Sequence, residues 1–212
     1  QKSNNINIST SRFANVAFSD GSLLYGFMQR VQKRQPISAP QDVQRYFVTP
    51  KESGQLCLLS GLLGNNKEIF FPKLSNELNL ISFDKIAIEY LINLGYEPYI
   101  CETEEDARIN AEKLIKHRKW PCYFFNSDTT GEKDFEEFFT KDEKVNFDRF
   151  HNIGVIQSNL EYDDKILDYF INEINRIFTS NSYNKSEIVD LFTKLIPNFN
   201  HIEKNKYLDD KM

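Results

Sequence analysis

Short apolar runs and amphipathic helical stripes alternate along most of this chain, and that alternation restricts the fold more than any other feature. Glu68–Phe71 reads as a short buried strand, parallel by its uninterrupted apolar run. Ser82 can cap a helix on which Phe83, Ile86, Ala87, Tyr90, Leu91 and Leu94 form one apolar stripe, ended by Gly95. Tyr96–Cys101 reads as a strand, Thr103 with Asp106 opens a helix running to about His117, and Trp120–Phe125 is again strand-like. Upstream, Asn7–Phe18 reads as one strand and Ser22–Lys33 as a helix with Leu23, Leu24, Phe27, Met28 and Val31 at helical spacing. Ile37–Ala39 and Tyr46–Thr49 are short extended pieces, and Pro50 starts a helix through Leu63, closed by Gly64. The pattern predicts a layered α/β fold.

The composition narrows the function. Aromatic residues make up 14% of the chain, which argues against disorder. A net charge of −5 speaks against a non-specific nucleic-acid or anionic-membrane surface, although one or two Arg and backbone N–H groups still suffice for a local anion site. Cys57, Cys101 and Cys122 are odd in number and far apart, with no C-x-x-C. Reduced thiols in a cytoplasmic protein fit this better than a disulfide framework or a zinc site, and Cys57 and Cys122 are expected in the core. The mostly apolar run Leu56–Leu63 is far short of the roughly 20 residues that span a bilayer, so no membrane insertion is expected. No signal-peptide layout opens the chain. It begins with Gln and enters a strand within a few residues, which suggests a piece cut from a longer protein. Composition shifts near residue 158, giving an expected division into 1–157 and a helical extension, 158–212, with two helices built on Leu167, Phe170, Ile171, Ile174, Phe178 and on Ile188, Leu191, Phe192, Leu195. The ending KNKYLDDKM is expected at the surface.

Three polar stretches carry chemistry. In RFANVAFSDGSLL, residues 12–24, a strand runs into Ser19-Asp20-Gly21-Ser22 and a helix follows at once. Gly21 permits an unusual backbone conformation and Ser22 can cap the helix, while the same first turn can hold a phosphate. Asp20 opposes an anion unless it turns to solvent, and Asn15 is an amide in an otherwise apolar strand that needs partners. In VQRYFVTP, residues 43–50, Arg45 either forms a fork to phosphate oxygens or pairs at the surface with Asp42. In TTGEKDFEEF, residues 129–138, Glu132 stands at a glycine turn, either as a cap or as an acceptor for ribose hydroxyls. His117, His151 and His201 lack metal-ligand spacing and read as surface or capping residues.

In order, these stretches resemble the C-terminal half of an extended short-chain dehydrogenase/reductase, closest to the nucleotide-sugar 4,6-dehydratases and epimerases of polysaccharide biosynthesis. RFANVAFSDGSLL is similar to that group's R-[FY]-[GA]-N-V-x-x-S-x-G-S-[VL]-[IL], VQRYFVTPKESGQL to R-[FY]-[FL]-[VM]-T-x-x-E-[AS], and TTGEKDFEEF to G-E-K-[LF]-x-E-[EF]. SFDKIAIEYLINLGYEP and the C-terminal PNFNHIEKNKYLDDKM resemble a longer-tailed, legionaminic-acid-pathway subgroup.

The resemblance implies the C-terminal part of a Rossmann-like fold and a nucleotide-sugar substrate of UDP-N-acetylhexosamine type. It implies Asn15 at the diphosphate and Gly21 and Ser22 against the nucleotide. It also implies Ile37 and Ser38 beside the base, Arg45 (or its neighbour Gln44) at the phosphates, and Glu132 at the ribose. The implied chemistry oxidises C4, eliminates water across C5 and C6 and returns the hydride to C6. That chemistry needs NAD or NADP, a glycine-rich turn and a Tyr-x-x-x-Lys pair, which the family carries upstream of the matching segment. This chain alone is therefore expected to hold the cofactor incompletely, to contain no catalytic residue and to be inactive, whereas the full-length enzyme is expected to be a homo-oligomer. An epimerase or reductase of the same fold, and a non-catalytic binding or assembly module, are the alternatives.

Overall fold

The computed structural model describes residues 6–73, 80–128, 137–158, 163–180, 184–196, 199, 201–203 and 205. Its elements in chain order are β1 (Thr10–Ser11), β2 (Asn15–Val16), α1 (Leu23–Gln32), β3 (Ile37–Pro40), β4 (Gln44–Arg45), β5 (Phe47–Val48), α2 (Pro50–Leu63), β6 (Glu68–Pro72), β7 (Ile81–Ser82), α3 (Phe83–Asn93), β8 (Glu97–Ile100), α4 (Glu104–Lys116), β9 (Lys119–Phe125), β10 (Lys144–Asn146), β11 (Ile153–Gln157), α5 (Asp164–Thr179) and α6 (Lys185–Leu195). The fold is α/β with parallel strands in its sheets. The chain divides into two compact units, whose described residues fall in 6–128 with 137–158 and in 163–205.

In the first unit, β3, β9 and β8 form an all-parallel sheet in that order. Helices α1, α3 and α4 pack on it through Leu24, Phe27, Ala87, Leu91 and Ile115, around Ile37, Ala39, Trp120 and Cys122. The apolar stripes predicted for α1 and α3 meet this core, except at Met28 and Leu94. A second sheet has the order β1-β6-β11-β10, with β6 parallel to β1 and antiparallel to β11. The expectation of a parallel setting for Glu68–Phe71 holds on one side of the strand only. The pleat of β6 sends Phe70 to a cluster with Leu56 and Val155, and Phe71 to one with Ala14, Val48, Phe138 and Ile156. Across the ladder from Phe71 stands Gly154, and a Cβ there would lie 2.2 Å from the Phe71 ring.

Two-residue ladders join these sheets' neighbourhoods: β2 runs parallel to β5, and β4 antiparallel to β7. The segment expected as one strand, Asn7–Phe18, is thus two strands in different sheets, because Thr10–Ser11 pairs with β6 and Asn15–Val16 with β5.

Local capping sets most helix starts. The Thr49 hydroxyl accepts from the Glu52 N–H at 3.2 Å, while the Glu52 carboxylate accepts from the Thr49 N–H at 2.6 Å, a complete capping box. Thr103 accepts from the Asp106 N–H at 3.0 Å. Ser82 stands at the start of α3, yet its hydroxyl makes no capping bond; the residue is drawn into the ladder with Gln44 and is buried. Cys57 also departs from expectation. Helix α2 is apolar on several sides and buries Leu56 and Ser60, leaving Cys57 exposed, whereas Cys101 and Cys122 are buried.

In the second unit, α5 and α6 form a helical pair in which the rings of Phe170 and Phe192 meet edge-on at 5.1 Å. Asp163 and Asn184 cap the two helices. Among the described residues no helix is long and apolar enough to cross a membrane.

Candidate functional site

The turn after β2 is built by backbone bonds before any side chain enters. The Ala17 N–H reaches the Val48 carbonyl at 2.9 Å, Ser19 N–H reaches Val16, and Ser22 N–H reaches Ser19 at 3.0 Å. Two residues adopt left-handed backbone conformations there: Gly21 at φ 75° and Phe18 at φ 56°. Glycine takes such a conformation freely, but for a bulky aromatic it is an outlier. The Phe18 ring rests on Tyr90 of α3 with centroids 5.7 Å apart, and burial raises the Tyr90 phenol above its ordinary range. Ser22 is the N-cap of α1, its hydroxyl accepting from the Tyr25 N–H at 3.2 Å. Asp20 is exposed, so its carboxylate is turned to solvent, the condition under which the turn tolerates an anion.

Strand β2 sets Asn15 against the segment of chain just after Arg45. Asn15 is half-buried, and its N–H donates to the Tyr46 carbonyl at 3.0 Å, which brings it beside the residue that follows Arg45. Alternation along β2 puts Asn15 on the face of Ala17, which packs toward the parallel-sheet core with Phe47, while Ala14 and Val16 face the other sheet's core. Arg45 is only 9% exposed, and its guanidinium donates to the Gln44 carbonyl at 2.8 Å. The surface pairing with Asp42 does not form: the Asp42 carboxylate takes the Ser127 N–H, at 2.8 and 3.0 Å.

Ile37 and Ser38 lie on β3, Ile37 wholly inside the parallel-sheet core and Ser38, on the opposite pleat, 8% exposed. Glu132 lies outside the described residues. Among the described residues no group of three or more His, Cys, Asp or Glu is placed to hold a metal ion.

Three further residues, Arg12, Glu143 and Phe138, are linked by direct contacts near Tyr46. Arg12, first residue of RFANVAF, forms a two-pronged ion pair with Glu143, at 2.9 and 2.6 Å, and also donates to the Phe138 carbonyl at 3.0 Å. The Arg12 fork is the main cause that holds the Glu143 carboxyl below the usual carboxylate range. Phe138 packs on Tyr46 with ring centroids 6.0 Å apart. An Arg opening an apolar strand was the available signal for Arg12; nothing local tied it to a residue 131 positions away.

A cleft of about 310 Å³ opens on the other side of β5, between α2 and the end of β6. Phe13, Leu56, Leu59 and Ile153 line it, with Glu52 and Lys73 among its polar residues. Those two are already engaged, Glu52 by Thr49 and Lys73 by the Phe150 carbonyl. Asn15, Ser22 and Arg45 offer an amide, a hydroxyl and a guanidinium. Such a set binds and orients polar or anionic ligands rather than moving protons near neutral pH.

A family model described as "Polysaccharide biosynthesis protein" matches residues 1–158. Among solved structures, the chain is similar to the X-ray structure of Pen from Bacillus thuringiensis. That structure is 20% identical, with a TM-score of 0.54 over 73% of this chain and 41% of that one. At that identity the likeness speaks for the fold alone, and this chain spans well under half of that protein's length. No curated protein matches the chain.

Proposed function

The chain belongs to the polysaccharide biosynthesis protein family, and from that premise we propose that it is the substrate-binding half of an NAD(P)-dependent nucleotide-sugar 4,6-dehydratase. The substrate proposed is a UDP-N-acetylhexosamine, and the setting is the making of a surface polysaccharide or a nonulosonic acid. The observation that carries this reading is that β2 sets the half-buried Asn15 against the chain just after Arg45: its N–H donates to the Tyr46 carbonyl, and Arg45 itself is only 9% exposed. A planar guanidinium matches phosphate oxygens through two parallel bonds. The first turn of α1 would add its N–H groups and dipole from the side of Ser22. Glu132 would hold the ribose, and Ser38 would lie beside the base with Ile37 as its packed support. Binding energy from the nucleotide, remote from the reacting carbons, would then orient the sugar.

The nicotinamide cofactor supplies the hydride chemistry of such a reaction when bound. By the resemblance, the glycine-rich turn and the Tyr-x-x-x-Lys pair that would serve it lie upstream of the matching segment. No step through the cofactor is therefore assigned to this chain's residues. The test is calorimetry with UDP on the complete protein carrying Arg45→Ala or, separately, Glu132→Ala. Loss of about tenfold or more in affinity is expected for Arg45→Ala, in keeping with a charge-assisted bond. Unchanged affinity in both variants overturns the site, and product analysis for a 4-keto-6-deoxy sugar separates dehydration from epimerisation.

A further inference from the structure

Resting on that reading, the geometry points to Arg12 and Glu143 as a positioning clamp for the wall that carries Asn15 and Arg45. Arg12 lies between β1 and β2, fixed to the sheet by its own N–H, which donates to the Phe70 carbonyl at 2.8 Å. Its guanidinium makes three bonds to one distant segment, two to the Glu143 carboxylate and one to the Phe138 carbonyl. Glu143 is itself oriented, because its Oε2 also accepts the Thr140 N–H at 2.8 Å. A fork with this many acceptors fixes direction as well as distance.

What the fork fixes is Phe138. That side chain is 5% exposed, stacks on Phe71 at 6.3 Å and leans on Tyr46 at 6.0 Å. Tyr46 is the residue between Arg45 and Phe47, and its carbonyl receives the Asn15 N–H. A continuous set of contacts thus runs from Glu143 through Arg12 and Phe138 to the backbone that carries Arg45 and holds Asn15. An exposed ion pair contributes little to stability by itself, and Arg12 is 41% exposed with Glu143 at 22%. The value of the pair lies in the placement of Phe138 against Tyr46. A shift of Tyr46 would displace Asn15 and Arg45 together, and misplaced binding groups lose affinity steeply.

The test is UDP calorimetry on the complete protein and its variants, run at a temperature where circular dichroism finds each one folded. Arg12→Gln and Glu143→Gln are each expected to weaken UDP binding about tenfold, and the double variant no further, since both remove one shared device. Arg12→Lys, which keeps the charge but not the fork, is expected to fall between. Arg149→Gln is the control for a merely structural effect. It breaks the comparable Arg149–Glu68 pair, at 2.7 Å, on the opposite face of β6, and should lower the melting temperature while leaving UDP affinity within about twofold. Arg12→Gln and Glu143→Gln proteins that melt earlier but bind UDP as the wild type does would overturn the clamp. If the wild type itself does not bind UDP, the nucleotide-sugar reading is what fails, and the clamp falls with it.

Discussion

Adding one methyl group to Gly154 should measurably loosen the first unit. Gly154 sits in β11 opposite Phe71, and an added Cβ would lie 2.2, 2.6 and 2.8 Å from three atoms of that ring. Contacts this short cannot persist, so either the ring or the strand must move. The ring has little room: Phe71 is fully buried and is packed by Phe138, Phe139 and Phe147 on its other sides. Overpacking of this kind costs about 1–3 kcal/mol. Alanine recovers part of it, about 0.4–1 kcal/mol, by restricting the unfolded chain. The net loss expected is about 1–2 kcal/mol, or a fall in melting temperature of about 2–8 °C for a chain of this size. Thermal and urea unfolding followed by circular dichroism would measure it. A second arm isolates the cause: Phe71→Leu makes room, so Gly154→Ala should cost less in that background than in the wild type. An unchanged or higher melting temperature for Gly154→Ala, or strict additivity with Phe71→Leu, would refute the steric reasoning.

Three further outcomes follow from local geometry. Thr49→Ala removes both the hydroxyl that caps α2 and a bond to Glu52, whose carboxyl is held low chiefly by the Thr49 N–H; a loss of about 1 kcal/mol is expected by urea unfolding, and none would contradict the capping box. For Glu68, burial pushes the carboxyl up, but bonds from Asn65 and Arg149 outweigh it and hold it below its ordinary value. Its share of stability is therefore complete above the unfolded value near about 4.3 and is lost as pH falls through the lower folded one, so Glu68→Gln should flatten the acid limb of a urea-midpoint profile; parallel limbs would exclude that role. Among the three thiols only Cys57 is exposed, and burial pushes Cys122 up to about 12, so a thiol reagent should label Cys57 fast and Cys101 and Cys122 only on unfolding; fast labelling of Cys122 would place it wrongly.

The helices were legible because their signals are local. Pro50, and Thr103 with Asp106, announce two helix starts within four residues, and the structure begins α2 and α4 there. What failed was decided by partners far along the chain. Nothing in Asn7–Phe18 reveals that its two halves pair with different strands, and β10 and β11 went unread although Ile153–Gln157 is apolar enough to be a buried strand. The same division holds at the candidate site. The turn at Gly21 and Ser22 could be read directly, but the burial of Arg45 depends on β7 and the ladder it makes, and so could not be. Cys57 was misjudged because an apolar neighbourhood in sequence does not say which side of a helix is covered.

The mixed pairing of β6 also has a cost in time during synthesis. Its parallel neighbour β1 is made before it, but its antiparallel neighbour β11 begins at Ile153, 81 residues after Pro72. At about 5–20 residues per second, β11 leaves the ribosome about 4–16 s behind β6. Through that interval Ile69, Phe70 and Phe71 present an unpaired apolar strand edge, the kind of surface that chaperones hold and aggregates recruit. The yield of this protein should therefore depend on translation speed between residues 73 and 157 more than on speed anywhere earlier in the chain.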